Sequence, residues 1–324
     1  MGRYILLRLF QIIPTILLII VFNFVLVRIA PGDPAEIMAG DFATPEVVET
    51  IRVKYGLDQP IFTQLVAYLK AVLTGDLGYS FDYNRPVLDV ILERIPATLL
   101  LVLTAQFVGI ALGIGLGTIA ARRPGGTFDI GLTATTSLLY SVPVFWLGFV
   151  LILFFGIQWK LLPTSNMRTI MGPDSGLPLI LDVSSHIVLP AATLALSFIL
   201  PTFFRISKSS VLEVMDADFI TTARAKGLPE RLVFRRHALR NALLPSVTMI
   251  GLSLGTAVSG ALLTETVFSW PGIGRLMLEA IGKRDYPMLM GIFIFTSVSV
   301  VIATLLTDLV YRWLDPRVEL GGKT

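Results

Sequence analysis

Few residues in this 324-residue chain could do covalent or redox chemistry. It has no cysteine, which removes disulfides and thiolate metal sites, and its two histidines, His186 and His237, are too far apart in the sequence to read as a metal cluster. His237 stands in a basic segment and reads as structural. The tail residues Gly322, Lys323 and Thr324 look like the end of a phosphate-binding loop, but Arg317 occupies the position where that motif needs its first glycine. Two acids adjoin or enter apolar runs. An intramembrane carboxylate can mark proton coupling, yet Asp308 has Arg312 four residues on, the spacing of a helical ion pair. Glu265 falls at the end of an apolar run, where interfacial solvation would account for it. No nucleophile, base and acid converge.

The segment with the most readable local design is 205–240, and its design is mechanical. Asp218 is a good N-cap, residues 219–226 suit two helical turns, Gly227 suits a left-handed C′ position, and Pro229 prevents continuation. A second helical pattern over 230–244 carries Arg231, Arg235, Arg236 and Arg240. Two readings fit: a basic loop lying on lipid headgroups, or a rigid capped knob that inserts into a soluble partner.

These residues must be positioned by membrane helices. Hydrophobic residues make up 54% of the chain and charged residues 15%, with a mean hydropathy of +0.77, far from the composition of an ordinary soluble domain. Charge-free runs occupy 9–27, 95–121, 130–159, 183–204, 241–264 and 286–307. Each is long enough to cross a hydrocarbon core that takes roughly 20 helical residues. The first run could alternatively be a secretory signal, but it is long and no A-x-A site follows it.

Six spans put both termini on one side. With that side cytoplasmic, the inner segments hold 15 Lys/Arg against seven acids and the outer segments 11 against 15, in accord with the positive-inside rule. The outer segment 32–94, with amphipathic stretches at 45–55 and 61–73, is expected to form an external cap. Gly109, Gly113 and Gly117, and likewise Gly251, Gly255 and Ser259, recur at four-residue spacing and predict close helix packing. Pro143, Pro190 and Pro201 lie inside runs and predict kinks. The chain thus divides into 1–94 (first span and cap), 95–313 (transmembrane core with the loop 205–240) and a tail, 314–324.

The loop reads TARAKGL at 222–228 and HALRNALLP at 237–245. It resembles the cytoplasmic signature of binding-protein-dependent ABC permeases of the dipeptide and oligopeptide group. The similarity extends through APGDP at 30–34, GLDQP at 56–60, GDLGYSF at 75–81, ETVFSWPGIGRL at 265–276, RDYP at 284–287 and LDPR at 314–317. Of the general importer signature E-A-A-x-x-x-G with its later I-x-L-P, only Ala223, Gly227 and Leu239 match; the departures resemble the peptide subgroup's own variant.

The resemblance implies an all-α integral membrane protein with six transmembrane helices and a type I ABC importer permease fold. It also implies a second homologous permease subunit, two cytoplasmic ATPases, an extracytoplasmic substrate-binding protein and a lipid environment, with no nucleic acid. ATP and Mg²⁺ would bind the ATPase subunits, leaving no cofactor and no catalysis on this chain. Asp218, Phe219, Thr222, Ala223, Arg224, Ala225, Lys226 and Gly227 would form the coupling helix. The location would be a bacterial cytoplasmic membrane, with both termini inside. Members of the group also carry nickel, glutathione or oligosaccharides, so these stay open beside peptides. A proton-coupled transporter or a membrane enzyme would need ionisable groups at mid-membrane or a converging catalytic set.

Overall fold

A backbone buried in hydrocarbon has no water to bond with, so each apolar run has to satisfy its own N–H and C=O groups in a helix. The computed structural model describes residues 2–29, 33, 35–36, 43–54, 56–256 and 261–314. Among these the chain is helical apart from loops and one two-residue antiparallel ladder, Tyr79–Ser80 with Arg85–Pro86.

Four expected runs lie within long helices: Gly2–Ile29, Val87–Ala120, Gly176–Met215 and Tyr286–Leu314. Three of the described helices are long and apolar enough to cross a membrane, in Val87–Ala120, Gly176–Met215 and Tyr286–Leu305. A bent pair makes a fourth if counted as one crossing. That pair occupies the run 130–159, where one span was expected. Thr127–Ser141 and Val144–Gln158 meet at 107°, because Val142 is extended (φ −81°, ψ 131°) ahead of Pro143, the conformation proline imposes on the residue before it. The run 241–264 contains Leu244–Thr256 and Leu262–Val267. Pro45–Lys54 and Ile61–Leu73 form the two expected amphipathic helices. The Asp308 and Arg312 side chains, the surroundings of Gly255, Ser259, most of the 30–34 motif and the 315–324 tail lie outside what is described.

The chain divides into two compact units, Met1–Pro96 with Gly272–Leu305, and Ala97–Pro271 with Leu306–Thr324. In the first, Val87, Val90 and Ile91 pack with Ile273, Leu276, Met288 and Ile292. Gly291 permits this: a Cβ there would lie 2.3 Å from a Val87 methyl. The Ser80 hydroxyl donates to Asp285 at 2.5 Å, and the other Asp285 oxygen accepts the Met288 N–H at 3.1 Å, capping the helix that begins at Tyr286.

In the second unit the expected glycine face is used. A Cβ on Gly109 would fall 2.7 Å from Ile199, on Gly113 2.7 Å from the Leu200 carbonyl, and on Gly117 2.2 Å from the Ser207 hydroxyl. Only glycine allows the Val87–Ala120 backbone so close to Gly176–Met215. That long helix widens to π-helical turns over Ala195–Ile199, just before Pro201, whose missing N–H and bulky ring cannot fit a regular i→i−4 ladder. Pro190, by contrast, sits inside the continuous helix Gly176–Leu194.

Candidate functional site

The short helix of the 205–240 loop spans Asp218–Ala225. It starts one residue earlier than the sequence suggests. Ala217 is extended (φ −75°, ψ 148°) and is the capping residue, since its carbonyl already accepts the N–H groups of Ile220 and Thr221 at 3.0 and 3.4 Å. Asp218 is therefore not the N-cap but the first helical residue, where its carboxylate complements the positive end of the helix dipole. At the other end Lys226 is the C-cap and Gly227 has φ +76°. The Gly227 N–H donates to the Arg224 carbonyl at 2.9 Å. The left-handed glycine and the Pro229 stop are where local chemistry places them.

Ile220 and Ala223, three residues apart, share one face and are buried, Ile220 completely. They pack with Val211 from the end of the long helix and with Val233, Phe234 and Ala238 from the following segment, alongside Ala121. The opposite face carries Asp218, Phe219, Thr222, Arg224, Ala225 and Lys226 in solvent. Seven of the eight candidate residues thus form one exposed surface with Gly227 at its end, and Ala223 belongs to the seat beneath.

One residue outside the candidate set, Glu230, braces this surface. Arg224 donates to both Glu230 carboxylate oxygens, at 3.2 and 2.8 Å, clamping the Gly227–Pro229 turn; its guanidinium holds the Glu230 carboxyl below the usual carboxylate range. Residues 230–242 continue helically through Glu230–Leu232, π-helical Val233–Ala238 and Leu239–Ala242. Farther up the long helix, Lys208 pairs with Asp129, which also accepts the Gly125 N–H at 3.0 Å and is buried. The spacing of Ile220 and Ala223 was a usable signal for the seat. Nothing local links Asp129 to Lys208.

At the end of the fifth run, Glu265 is not solvated as expected but fully buried, because Leu262–Val267 packs against Val144–Leu151 and Gly176–Leu194. It accepts the Thr98 hydroxyl at 2.8 Å. Trp270, also fully buried, donates its indole N–H to the Ala97 carbonyl at 2.8 Å. His186 bonds through Nδ1 to the Asp182 carbonyl at 2.8 Å. No group of three or more His, Cys, Asp or Glu able to hold a metal exists among the described residues.

The family model described as "binding-protein-dependent transport system inner membrane component" matches residues 113–320, and its N-terminal companion matches residues 1–102. The dipeptide transport system permease protein DppB of Escherichia coli (strain K12) is 40% identical over 340 residues, covering 98% of this chain and 99% of the relative. The probable peptide ABC transporter permease protein y4tP of Sinorhizobium fredii is 40% identical over 320 residues, covering 98% and 100%. The oligopeptide transport system permease protein AppB of Bacillus subtilis is 35% identical over 320 residues, with the same coverage. In fold, a chain of the inward-facing MetNI methionine ABC transporter aligns with a TM-score of 0.53 at 18% identity, over 70% of this chain and 97% of that one. The fold is that of a type I ABC importer permease.

Proposed function

This chain belongs to the family of binding-protein-dependent transport system inner membrane components, and from that premise we propose that it is one permease subunit of an ATP-driven importer for di- and oligopeptides. The observation that carries the reading is similarity along nearly the whole chain to permeases of peptide systems. Type I architecture supports the same class.

In this reading the six charge-free runs are six crossings, and residues 32–94 cap the outer face. Both termini and the 205–240 loop face the cytoplasm of a bacterial cell. A second homologous permease completes the path, two ATPase subunits bind and hydrolyse ATP with Mg²⁺, and an extracytoplasmic binding protein delivers peptide. The Asp218–Ala225 helix is the coupling element. Its exposed face meets the ATPase, while Ile220 and Ala223 hold it against Val211 and Val233. Movement of the ATPase is thereby handed to the long helix above and to the segment leading into Leu244–Thr256. The packed seat matters because close-packed interiors transmit displacement instead of absorbing it.

The test is peptide uptake by the assembled complex in vesicles. Uptake should vanish when the ATPase partner carries an inactivating substitution at its nucleotide site, and should persist when the proton gradient is collapsed. The opposite pattern would replace the ATP-driven reading with a proton-driven one. For orientation, an impermeant thiol reagent added outside should label Asp58→Cys and spare Arg236→Cys.

A further inference from the structure

Beside the short helix lies a cavity of about 460 Å³. Arg122, Arg231 and Arg235 line it together with the apolar residues Ala121, Met215 and Phe234. The one acid at its rim, Glu230, is already engaged by Arg224 through two hydrogen bonds. Among the described residues none of the three lining arginines has a carboxylate within ion-pair distance. Arg122 lies over the Phe234 ring, 4.6 Å from its centroid. That contact holds the guanidinium plane by cation–π attraction and leaves its N–H edges for an acceptor.

Three unneutralised guanidiniums around one concavity make a receptor for a phosphate group, whose several oxygens can accept paired N–H bonds from more than one guanidinium at once. The apolar part of the lining and the position distinguish among phosphates. Ala121 and Arg122 follow directly on Ala120, the last residue of the apolar Val87–Ala120 helix, and residues 230–242 lead into Leu244–Thr256. In the membrane-permease reading, on which this inference rests, that is the cytoplasmic margin of the bilayer, where basic pockets between helices meet lipid headgroups. A free phosphate ion has no use for the Ala121, Met215 and Phe234 surface, whereas the glycerol end of a lipid covers it. We propose that this cavity binds the phosphate of an anionic phospholipid of the cytoplasmic leaflet. A lipid seated there would touch the segment that holds the short helix in place.

The experiment uses the assembled transporter in detergent, given equimolar phosphatidylglycerol and phosphatidylcholine, with retained lipid read by native mass spectrometry. At about 1 kcal/mol for each arginine near such a surface, removing two should cost roughly thirty-fold in preference. The unmodified complex should therefore favour phosphatidylglycerol strongly, and R231Q/R235Q should keep only the roughly fivefold preference that Arg122 alone supplies. R122Q should lose part of the preference, and R236Q, which does not line the cavity, should keep it. Thermal unfolding of each variant shows that the fold is intact; Arg231 and Arg235 are exposed.

Four results would overturn the proposal. One is equal retention of both lipids by the unmodified complex, and another is an undiminished preference in R231Q/R235Q. The third is displacement of the lipid by millimolar inorganic phosphate, which would make this a free-anion site. A preference seen in the permease pair but lost once the ATPases bind would likewise overturn it, assigning the arginines to an acidic segment of the ATPase. Peptide uptake by the unmodified complex is recorded in parallel, so that failure of the permease reading is seen separately.

Discussion

On the Asp218–Ala225 helix Ile220 and Ala223 turn inward while Phe219 and the polar side chains stay in water, whereas beside the Tyr79–Ser80 ladder two polar side chains are themselves buried. Ser80 and Asp285 are 0% and 3% exposed and satisfy one another at 2.5 Å. Tyr83 donates to Glu279 at 2.9 Å, and Lys283 pairs with Asp82 at 2.7 Å. The ladder region is thus closed on itself. The Ser80–Asp285 bond has no water to fall back on, so disturbing it costs stability. The short helix keeps its charges in solvent, where they exchange partners at little cost, and only its apolar seat is committed. One region is built as a brace, and the other leaves a mostly polar surface in solvent.

That contrast can be broken by substitution, and the largest effect should come from attacking the seat. Ile220→Asp places a carboxylate among Val211, Val233 and Ala238, at a cost of several kcal/mol for an unpaired buried charge. Uptake should be abolished and the 216–229 segment should become protease-sensitive, while the chain still inserts in the membrane at a normal level. Unchanged proteolysis would mean that the seat does not hold the helix.

Asp285→Ala should come next. It leaves the Ser80 hydroxyl and the Met288 N–H without their acceptor, at about 3 kcal/mol from one charge-assisted bond and one cap. Here thermal stability and expressed level should fall, with transport per folded molecule nearly unchanged. If transport fell while stability held, the brace would also be a moving part.

Gly227→Val is smaller. A Cβ at Gly227 meets nothing within 4 Å, so the cost is conformational, about 1–2 kcal/mol for a β-branched residue at φ +76°. ATP hydrolysis should continue while uptake drops severalfold, because the helix end is re-aimed. Gly227→Ala should do the same more mildly. Normal uptake by Gly227→Val would remove the helix terminus from the mechanism.

Glu230→Gln should have the least effect, since the bridge to Arg224 is exposed and such pairs contribute little. Its loss should slightly raise the proteolytic sensitivity of the turn. The pH dependence has a definite sign. With its pKa depressed, the carboxylate contributes stability above the ordinary range for this group, and loses it only as pH falls through the lower folded value. The unmodified chain should therefore lose protection on acidification, and Glu230→Gln should show no such step.

Much of the molecule is legible in local sequence. The helices follow from apolar runs too long to remain unpaired in hydrocarbon, the Gly227–Pro229 turn from glycine's access to positive φ and proline's missing donor, and the glycine face from its four-residue period. These depend on neighbours within one or two turns, so the sequence by itself determined them, along with the family through its ordered motifs. It misplaced what depends on environment. Glu265 looked solvated and is buried, the run 130–159 looked like one helix and turns through 107°, and Asp218 looked like a cap although the Ala217 carbonyl begins the helix. Tertiary structure alone decided the partners: Ser80 with Asp285, Thr98 with Glu265, Asp129 with Lys208, and three arginines around one cavity. The reason is physical. Capping and periodicity are short-range free energies written along the chain, whereas a buried polar group selects whichever group the packed helices bring within hydrogen-bonding distance, and chain separation carries no information about that distance.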